Sequence, residues 1–517
     1  MQLESFLEQS ADRHPENTAL VCGDKRLTYA EFEQLANRLA YGLIQAGVQR
    51  GDRVGICLEN SIEAAVSIFA VLKSGAVFMP INPTTKPDKL AYVLNNSRSS
   101  TLIATTRKLA TLADAWQNLS HLETVVSVGA EFPDEMKGEM QFEDFDSLIE
   151  HNADKNAPPK KRAISVDLAA LIYTSGSTGN PKGVMLTHLN MVSASTSITT
   201  YLQNQADDII LNVLPLSFDY GLYQLLMTCQ FGGTLILEKS FTYPHAVLQK
   251  IVEHKATGFP LVPTISAILL QMDLSKYDFS NLRYVTNTGA ALPTEHITTI
   301  REVLPHVSVF SMYGLTECKR VSYLPLDQID IRTDSVGIAM PNTEVYIVDG
   351  NDNRLPYGEI GELVVRGANV MKGYWEAPEL TNEKLKPGPL PCENVLYTGD
   401  LFRQDDEGYL YFVGRRDDII KSRGEKVSPK EVENTLYSHP LIAEAAVVGQ
   451  DDDVLGQAIR AILVVIPDAE LSEREVLAYC RKNLEDYMVP KFIEFQDSLP
   501  KSANGKIDKK QLTGATA

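Results

Sequence analysis

The sequence predicts an α/β protein in which a large N-terminal α/β domain of several subdomains is followed by a small α+β C-terminal domain. In the first part, strand-like and helix-like segments alternate: residues 53–58 are typical of a buried strand, and residues 62–72 of the helix after it. From Ser428 the pattern changes to helix, strand and helix over a segment of about 100 residues. We therefore expect domains at 1–416 and 417–517.

Two helix starts can be read from local chemistry. Thr28 and Glu31 have the spacing of a capping box, and the apolar residues after them recur at helical intervals. Ser428, Pro429 and Glu431 combine an N-cap, a first-turn proline and a capping-box carboxylate. These patterns predict one helix from about residue 29 and another from Pro429.

The charge balance and the cysteines exclude some classes of function. Lys and Arg total 48 against 67 Asp and Glu, and the net charge of −19 gives no electrostatic reason to expect nucleic-acid binding. We recognise no secretory signal, and no uncharged apolar run reaches the roughly 20 residues of a membrane helix. The six cysteines are far apart without metal-type pairing, so a protein of the reducing cytoplasm is expected.

The segment most informative about chemistry is residues 171–183, LIYTSGSTGNPKG, where a predicted strand runs into a loop of Gly, Ser and Thr. In such a loop, backbone N–H groups and hydroxyls approach phosphate oxygens, and Lys182 adds positive charge. It is not a Walker A loop, because Pro181 precedes the lysine and Gly183 follows it. The segment predicts a phosphate-binding loop of another kind.

This loop resembles the phosphate loop of the adenylate-forming superfamily, which includes acyl-CoA synthetases, nonribosomal-peptide adenylation domains and luciferases. Further strings resemble the superfamily's other motifs in the same order and extend the likeness over nearly the whole chain. They are MYGLTE (312–317), YTGD (397–400) with GRRDD (414–418), KSRGEKVSPKEVE (421–433) and LPKSANGK (499–506). The resemblance implies the adenylate-forming ligase fold and a reaction in which ATP and Mg²⁺ convert a carboxylic acid to an acyl-adenylate, whose acyl group then passes to a thiol.

The resemblance also implies roles for single residues. The ATP or AMP would be bound by Thr174, Ser175, Gly176, Ser177, Thr178, Gly179, Lys182, Thr288, Gly289, Ala290, Tyr313, Gly314, Asp400 and Arg415. Asn287 and Thr288 depart from the Gly-Gly-Ala type of adenine loop that the family usually has. Catalysis would fall to Thr316 at the α-phosphate, to Glu317 as Mg²⁺ ligand, and to Lys506 between the substrate carboxylate and the α-phosphate.

The C-terminal domain is implied to be mobile. Asp417 resembles the hinge about which the small domain swings. Arg423, Gly424 and Glu425 resemble the loop that reaches the site for the thiol step. This string is more similar to acyl-CoA ligases than to peptide-synthetase modules.

Three residues bear on the identity of the acid. Asp219, followed by Tyr220, matches the place where amino-acid-activating relatives pair an Asp with the substrate ammonium; alternatively it caps a helix that starts near Tyr220. Arg320 either points into the pocket, where it could meet a carboxylate or polar substituent, or is a surface charge. The sequence leaves both choices open.

Three functions remain at this point. The first is an acyl-CoA ligase with coenzyme A as acceptor. The second is a stand-alone amino-acid adenylation enzyme that loads the phosphopantetheine of a carrier protein. The third, a nucleotide-binding interaction protein without catalysis, is disfavoured by the intact Lys506, Glu317 and Thr316.

Overall fold

A computed structural model describes residues 1–129, 140–174, 181–422, 425–452, 455–467, 469–502 and 505–513. A large mixed α/β region comes first and a small α+β region follows, so the predicted fold class is confirmed. Within the described ranges, no helix has the length and apolar character to cross a membrane.

The strands of the described residues are, in chain order, β1 (Thr18–Cys22), β2 (Lys25–Thr28), β3 (Arg53–Cys57), β4 (Val77–Pro80), β5 (Ser99–Thr105), β6 (Thr124–Val128), β7 (Gln141–Asp144), β8 (Leu168–Thr174), β9 (Lys182–Thr187), β10 (Ile209–Asn212), β11 (Thr234–Leu237), β12 (Gly258–Leu261), β13 (Tyr284–Asn287), β14 (Ser308–Tyr313), β15 (Ser322–Tyr323), β16 (Ile338–Ala339), β17 (Thr343–Val348), β18 (Ile360–Gly367), β19 (Gly373–Tyr374), β20 (Leu385–Pro387), β21 (Asn394–Gln404), β22 (Leu410–Arg415), β23 (Ile420–Ser422), β24 (Glu425–Val427), β25 (Ile442–Asp452), β26 (Gly456–Val465) and β27 (Phe492–Phe495).

The α-helices are α1 (Glu4–Arg13), α2 (Tyr29–Gln45), α3 (Ile62–Lys73), α4 (Pro87–Ser97), α5 (Thr106–Ala110), α6 (Phe145–Glu150), α7 (His188–Leu202), α8 (Asp219–Phe231), α9 (Pro244–Glu253), α10 (Pro263–Leu270), α11 (Thr294–Val303), α12 (Pro378–Lys384), α13 (Pro429–Tyr437), α14 (Glu473–Asn483) and α15 (Lys509–Leu512).

The large region is built on two long mixed sheets and one smaller antiparallel sheet. The long sheets have the orders β19-β9-β8-β4-β3-β5-β6-β7 and β16-β15-β14-β13-β12-β10-β11-β1-β2. The smaller sheet runs β17-β18-β21-β20, with β22 beside β21. Strands β10 to β14 are parallel neighbours, so the loops after their carboxyl ends gather along one edge, where α/β proteins bind ligands.

The small region has its own sheet, in the order β24-β23-β26-β25 with β27 beside β26. Helices α13 and α14 pack on this sheet around a separate core that includes Val432, Val447 and Cys480. The chain passes from the sheet of β22 to the sheet of β23 through residues 416–419. The proposed boundary at 416/417 falls within this connection.

Both predicted helix starts are confirmed. Helix α2 begins at Tyr29 with a complete capping box between Thr28 and Glu31. Helix α13 begins at Pro429, and the Ser428 hydroxyl accepts a hydrogen bond from the Glu431 N–H.

Candidate active site

The loops after neighbouring parallel strands bring several predicted site residues together. Strand β13 ends at Asn287 and β14 ends at Tyr313, and their register places Asn287 opposite Ser311. Residues 288–290 and 314–317 follow directly, so these two loops leave the same edge of the sheet side by side.

Lys506 of the small region lies against the large region at this edge. Its Nζ is 5.5 Å from the centroid of the Phe218 ring. A Cβ built on Gly289 would be 3.2 Å from Lys506 Cε, so the missing side chain leaves room for the lysine. Burial lowers the pKa of Lys506 below its ordinary value, and the nearby Asp219 carboxylate acts in the opposite direction. A charge held here with few water contacts is suited to stabilise a developing anion.

Lys182, Glu317 and Tyr374 form a second cluster. The Lys182 ammonium donates to the Tyr374 hydroxyl at 2.7 Å, and that hydroxyl donates to Glu317 Oε1 at 2.7 Å. The same Glu317 oxygen is 3.4 Å from Lys182 Nζ. Burial, and then the carboxylate of Glu317, raise the pKa of Tyr374 above its ordinary value, so the tyrosine stays a neutral donor.

Asp400 is held by two neighbours. The Tyr313 hydroxyl donates to its Oδ2 at 2.6 Å, and Arg415 Nε lies 3.6 Å from its Oδ1. Burial raises the pKa of Asp400, while the Tyr313 hydrogen bond and the Arg415 charge act to lower it.

Several buried polar atoms around these clusters make no hydrogen bond to a described residue. They include the hydroxyl oxygens of Thr174 and Thr288 and the Oδ1 atom of Asp400. A buried polar atom without a partner costs free energy, which a ligand that supplies the missing bond recovers. Two hydroxyls and one carboxylate oxygen suit a ligand with both phosphate and hydroxyl groups.

Behind Phe218, the predicted pocket residue Asp219 is paired within the protein. Lys319 Nζ lies 3.2 Å from Asp219 Oδ2 and also donates to the Asp219 carbonyl. The ammonium also lies 3.7 Å from the centroid of the Tyr223 ring. Although burial acts to raise it, the pKa of Asp219 is below its ordinary value because Lys319 and Lys506 favour the carboxylate.

The N-cap interpretation of Asp219 is wrong. Helix α8 begins at Asp219 itself, its N-cap position is Phe218, and no side chain accepts the capping hydrogen bond. The surface interpretation of Arg320 is also wrong. Only 2% of Arg320 is exposed, and its guanidinium lies 5.4 Å from the centroid of the Tyr220 ring.

Relatives with known names and structures share this architecture over the full chain. The AMP-binding enzyme family matches residues 7–375, and the AMP-binding enzyme C-terminal domain matches residues 431–506. The chain belongs to the AMP-binding enzyme family. A long-chain-fatty-acid–CoA ligase of Escherichia coli O6:H1 is 32% identical over 99% of this chain and 94% of its own.

Two further relatives of the AMP-binding enzyme differ greatly in size. A linear gramicidin synthase protein of Brevibacillus parabrevis is 30% identical over 99% of this chain, which corresponds to 10% of that protein. The crystal structure of the anthranilate CoA ligase AuaEII in complex with anthranoyl-AMP is 28% identical, with a TM-score of 0.90 over 100% of this chain and 97% of that one.

Some residues assigned by resemblance to the AMP-binding enzyme family lie outside the described residues: Ser175, Gly176, Ser177, Thr178, Gly179, Arg423 and Gly424. Gly314 and Thr316 lie half-buried in the loop after β14, and Ala290 lies half-buried after β13. Asp417 is exposed between β22 and β23, and Glu425 is exposed at the start of β24.

The sequence reasoning gave no role to Lys319, which it noted only beside Arg320, and it missed Tyr374. A role for Lys319 could have been suggested by the two adjacent basic residues that follow Cys318, since buried cations need partners. Tyr374 follows a glycine in β19, far along the chain from the residues it contacts, and nothing in its local sequence marks it.

The residues present fit a magnesium–nucleotide complex. Among the described residues, no group of three or more His, Cys, Asp and Glu side chains could hold a metal alone. Mg²⁺ bound with a nucleotide needs only one or two protein carboxylates, because phosphate oxygens and waters complete its shell. Glu317, whose Oε1 already accepts from a cluster of donors, is a suitable carboxylate of this kind.

Proposed function

We propose that the chain is an AMP-forming acid–thiol ligase that activates a carboxylic acid as an acyl-adenylate and transfers the acyl group to coenzyme A. The observation that carries this proposal is the position of Lys506 against Phe218 and Gly289. This lysine comes from the second domain and lies at the edge where the nucleotide-binding loops meet. There it can contact an acid carboxylate and an α-phosphate and stabilise their negative charges as the two groups approach each other.

In the first half-reaction, the acid carboxylate attacks the α-phosphorus of ATP and pyrophosphate leaves. Lys506 offsets the charge that builds on the oxygens, and Thr316 orients the α-phosphate with its hydroxyl. Glu317 would hold Mg²⁺, which would supply positive charge to offset that of the phosphates. The Tyr374 hydroxyl, which bonds to both Lys182 and Glu317, holds the lysine next to Glu317. In this position Lys182 can contact a phosphate oxygen.

The nucleoside is oriented by the cluster around Asp400. Asp400 Oδ2 is occupied by Tyr313, while Oδ1 has no hydrogen-bond partner among the described residues and is free to accept from a ribose hydroxyl. Arg415 acts against the effect of burial by favouring the charged carboxylate, and it supports the ribose or phosphate. Thr174 and Thr288 supply hydroxyls, while Gly289 and Ala290 line the adenine.

In the second half-reaction the small domain rotates about Asp417, which withdraws Lys506 and brings Glu425 toward the adenylate. The thiol sulfur attacks the acyl carbon and AMP leaves. Coenzyme A is favoured as acceptor because this chain matches a coenzyme A ligase over nearly the whole length of both proteins. The chain matches only a tenth of the gramicidin synthase protein.

A panel of acids scored by ATP–pyrophosphate exchange tests the first half-reaction. The same panel with coenzyme A, and separately with phosphopantetheinylated carrier proteins, tests the acceptor. We expect exchange with at least one acid and thioester formation with coenzyme A. If exchange occurs without a coenzyme A thioester and a carrier protein is loaded, the acceptor is the carrier protein and not coenzyme A. If no acid supports exchange, the ligase proposal is refuted.

A further inference from the structure

Asp219, Lys319 and Arg320 form a largely buried group next to Phe218, here called the charged wall. It contains two basic side chains and one carboxylate. Lys319 and Arg320 are 3% and 2% exposed, and Asp219 is the carboxylate that pairs with Lys319. Arg320 makes no ion pair with any residue that the structure describes, and its Nε has no hydrogen-bond partner there. A buried guanidinium without a counter-ion is costly, and proteins normally pair such a group or bind an anion with it.

Aromatic rings hold Arg320 without neutralising it. Its guanidinium faces the Tyr220 ring. Burial raises the pKa of Tyr201 and of Tyr223, and the charge of Arg320 acts in the opposite direction. The Tyr220 hydroxyl shares a 2.6 Å hydrogen bond with the Thr286 hydroxyl. A cation above a ring gains part of what an anion would supply. Arg320 also contacts the Tyr201 hydroxyl, whereas its Nε has no hydrogen-bond partner among the described residues.

This wall is continuous with the place where the acid must react. Lys506 Nζ lies over the Phe218 ring, and Phe218 packs edge-on against Tyr220 with ring centroids 6.2 Å apart. Arg320 lies at the next ring contact, on Tyr220. A ligand that followed these ring contacts from Lys506 would reach Arg320.

We propose that the acid activated here carries a second carboxylate at its distal end, and that Arg320 binds this carboxylate. The inference rests on the proposed ligase function and specifies its substrate class. Arg is the side chain best matched to a carboxylate, because its planar fork donates two parallel hydrogen bonds. The unpartnered Nε of Arg320 is one of these donors.

The same geometry disfavours an amino acid as substrate. Asp219 would have to release Lys319 to accept an α-ammonium, and the released lysine would then lie buried beside Arg320 without a counter-ion. Burial and the Arg320 charge lower the pKa of Lys319 to about 7, against the effect of Asp219, so Lys319 depends on Asp219 to keep its proton. The aminoacyl alternative therefore requires Asp219 to change partners, whereas a distal carboxylate at Arg320 leaves the pair of Asp219 and Lys319 intact.

The test compares paired acids that differ in one charge. Aliphatic and aromatic dicarboxylic acids, each beside its monomethyl ester and the monocarboxylic acid of equal length, are scored by kcat/KM in pyrophosphate exchange and thioester formation. For the best acid, the wild-type enzyme is expected to prefer the dicarboxylate over both partners by a factor of about 100, since a buried polar group left unpaired penalises the analogue.

Variants show whether Arg320 carries this preference. Arg320→Met keeps the length of the side chain and removes the charge, and it is expected to reduce the ratio of dicarboxylate to monoester by about 30-fold or more. Arg320→Lys should retain part of the ratio, because a point charge replaces the fork. Arg481→Met, at an exposed position of α14, is the matched control and should leave the ratio unchanged. Because each ratio is taken within one protein preparation, a loss of folded fraction cancels.

The outcomes separate this inference from the function on which it rests. Good exchange with monocarboxylic acids and no preference for the dicarboxylate would leave the ligase intact and refute the second carboxylate. An unchanged ratio in Arg320→Met would refute the role of Arg320. Activation of an amino acid more efficiently than of its dicarboxylic counterpart would also overturn the inference.

Discussion

Tyr313 and Asp400 are joined by a 2.6 Å hydrogen bond in which the phenol donates to one carboxylate oxygen and leaves the other oxygen without a hydrogen-bond partner among the described residues. The two residues lie on different sheets of the large region, on β14 and β21. Their contact therefore fixes the direction of the second oxygen relative to the nucleotide-binding edge.

Asp400→Ala should weaken the use of ATP by a factor of about 10 to 100, because hydrogen bonds to a charged acceptor contribute about 1.5 to 3 kcal/mol. The specific readout is sugar discrimination. The wild-type enzyme should prefer ATP to 2′-deoxy-ATP or 3′-deoxy-ATP, and the variant should lose that preference. Asp497→Ala, at an exposed position, is the control. A preference that survives in Asp400→Ala would remove the residue from the ribose site.

Lys506→Ala should slow adenylate formation by a factor of about 100 or more, since one preorganised charge contact to a transition state is worth roughly 3 kcal/mol. Thioester formation from supplied acyl-AMP should largely survive, because the lysine is withdrawn in that step. Lys482→Ala on the exposed face of α14 controls for the loss of a lysine from the same domain. Equal losses in both half-reactions would contradict a role confined to adenylation.

Asp417→Pro tests the hinge. Proline fixes φ near −65°, and the Asp417 N–H makes no hydrogen bond to a described residue, so the present arrangement loses no backbone bond. Pyrophosphate exchange should persist while thioester formation falls, because the domain is held in the first of two positions. Normal rates in both steps would place the pivot elsewhere.

His296 links the two regions and predicts a response to pH. Its ring packs edge-on against Tyr437 of α13, with centroids 5.7 Å apart, and its Nδ1 is 2.9 Å from the Ser266 hydroxyl. Burial lowers the pKa of His296 to about 4, from 6.5 in the unfolded chain. The neutral ring is therefore favoured in the fold. The stability that the neutral His296 ring contributes is fully present above pH 6.5, and it is lost as the pH falls toward 4.

For this one group, we expect the free energy of unfolding to fall by about 2 kcal/mol between pH 7 and pH 5. Thermal unfolding of wild type and His296→Gln at both pH values is the measurement, and the variant should show the smaller pH-dependent drop. His121→Gln, at an exposed position, should behave as wild type. An identical drop in wild type and His296→Gln would exclude this contribution.

The fold class could be predicted because it depends on local patterns. The strand before the phosphate-loop motif, the capped starts of α2 and α13, and the order of motifs all follow from residues close together in sequence. The ligase reaction was predicted from those motifs, and the full-length relatives confirm the reaction class.

The charged wall could not be predicted, because it depends on an irregular turn. Lys319 has a φ of +68°, and a Cβ on Gly314 would be 2.3 Å from the Lys319 carbonyl oxygen. Asn369 then holds the carbonyls of Cys318 and Arg320 with its side-chain amide. This turn buries Cys318, Lys319 and Arg320 in succession, whereas a regular strand would have alternated them.

The short connection between β22 and β23 restricts how the protein completes a catalytic cycle. Residues 416–419 reach at most about 14 Å when extended. The small domain can therefore turn about its tether but cannot move far away. In the proposed cycle, Lys506 and Glu425 reach the same site on this one tether, so each must leave before the other can enter. Every turnover then contains two large rotations of the small domain through solvent. If these rotations, and not the chemical steps, limit the rate, kcat should decrease as solvent viscosity rises.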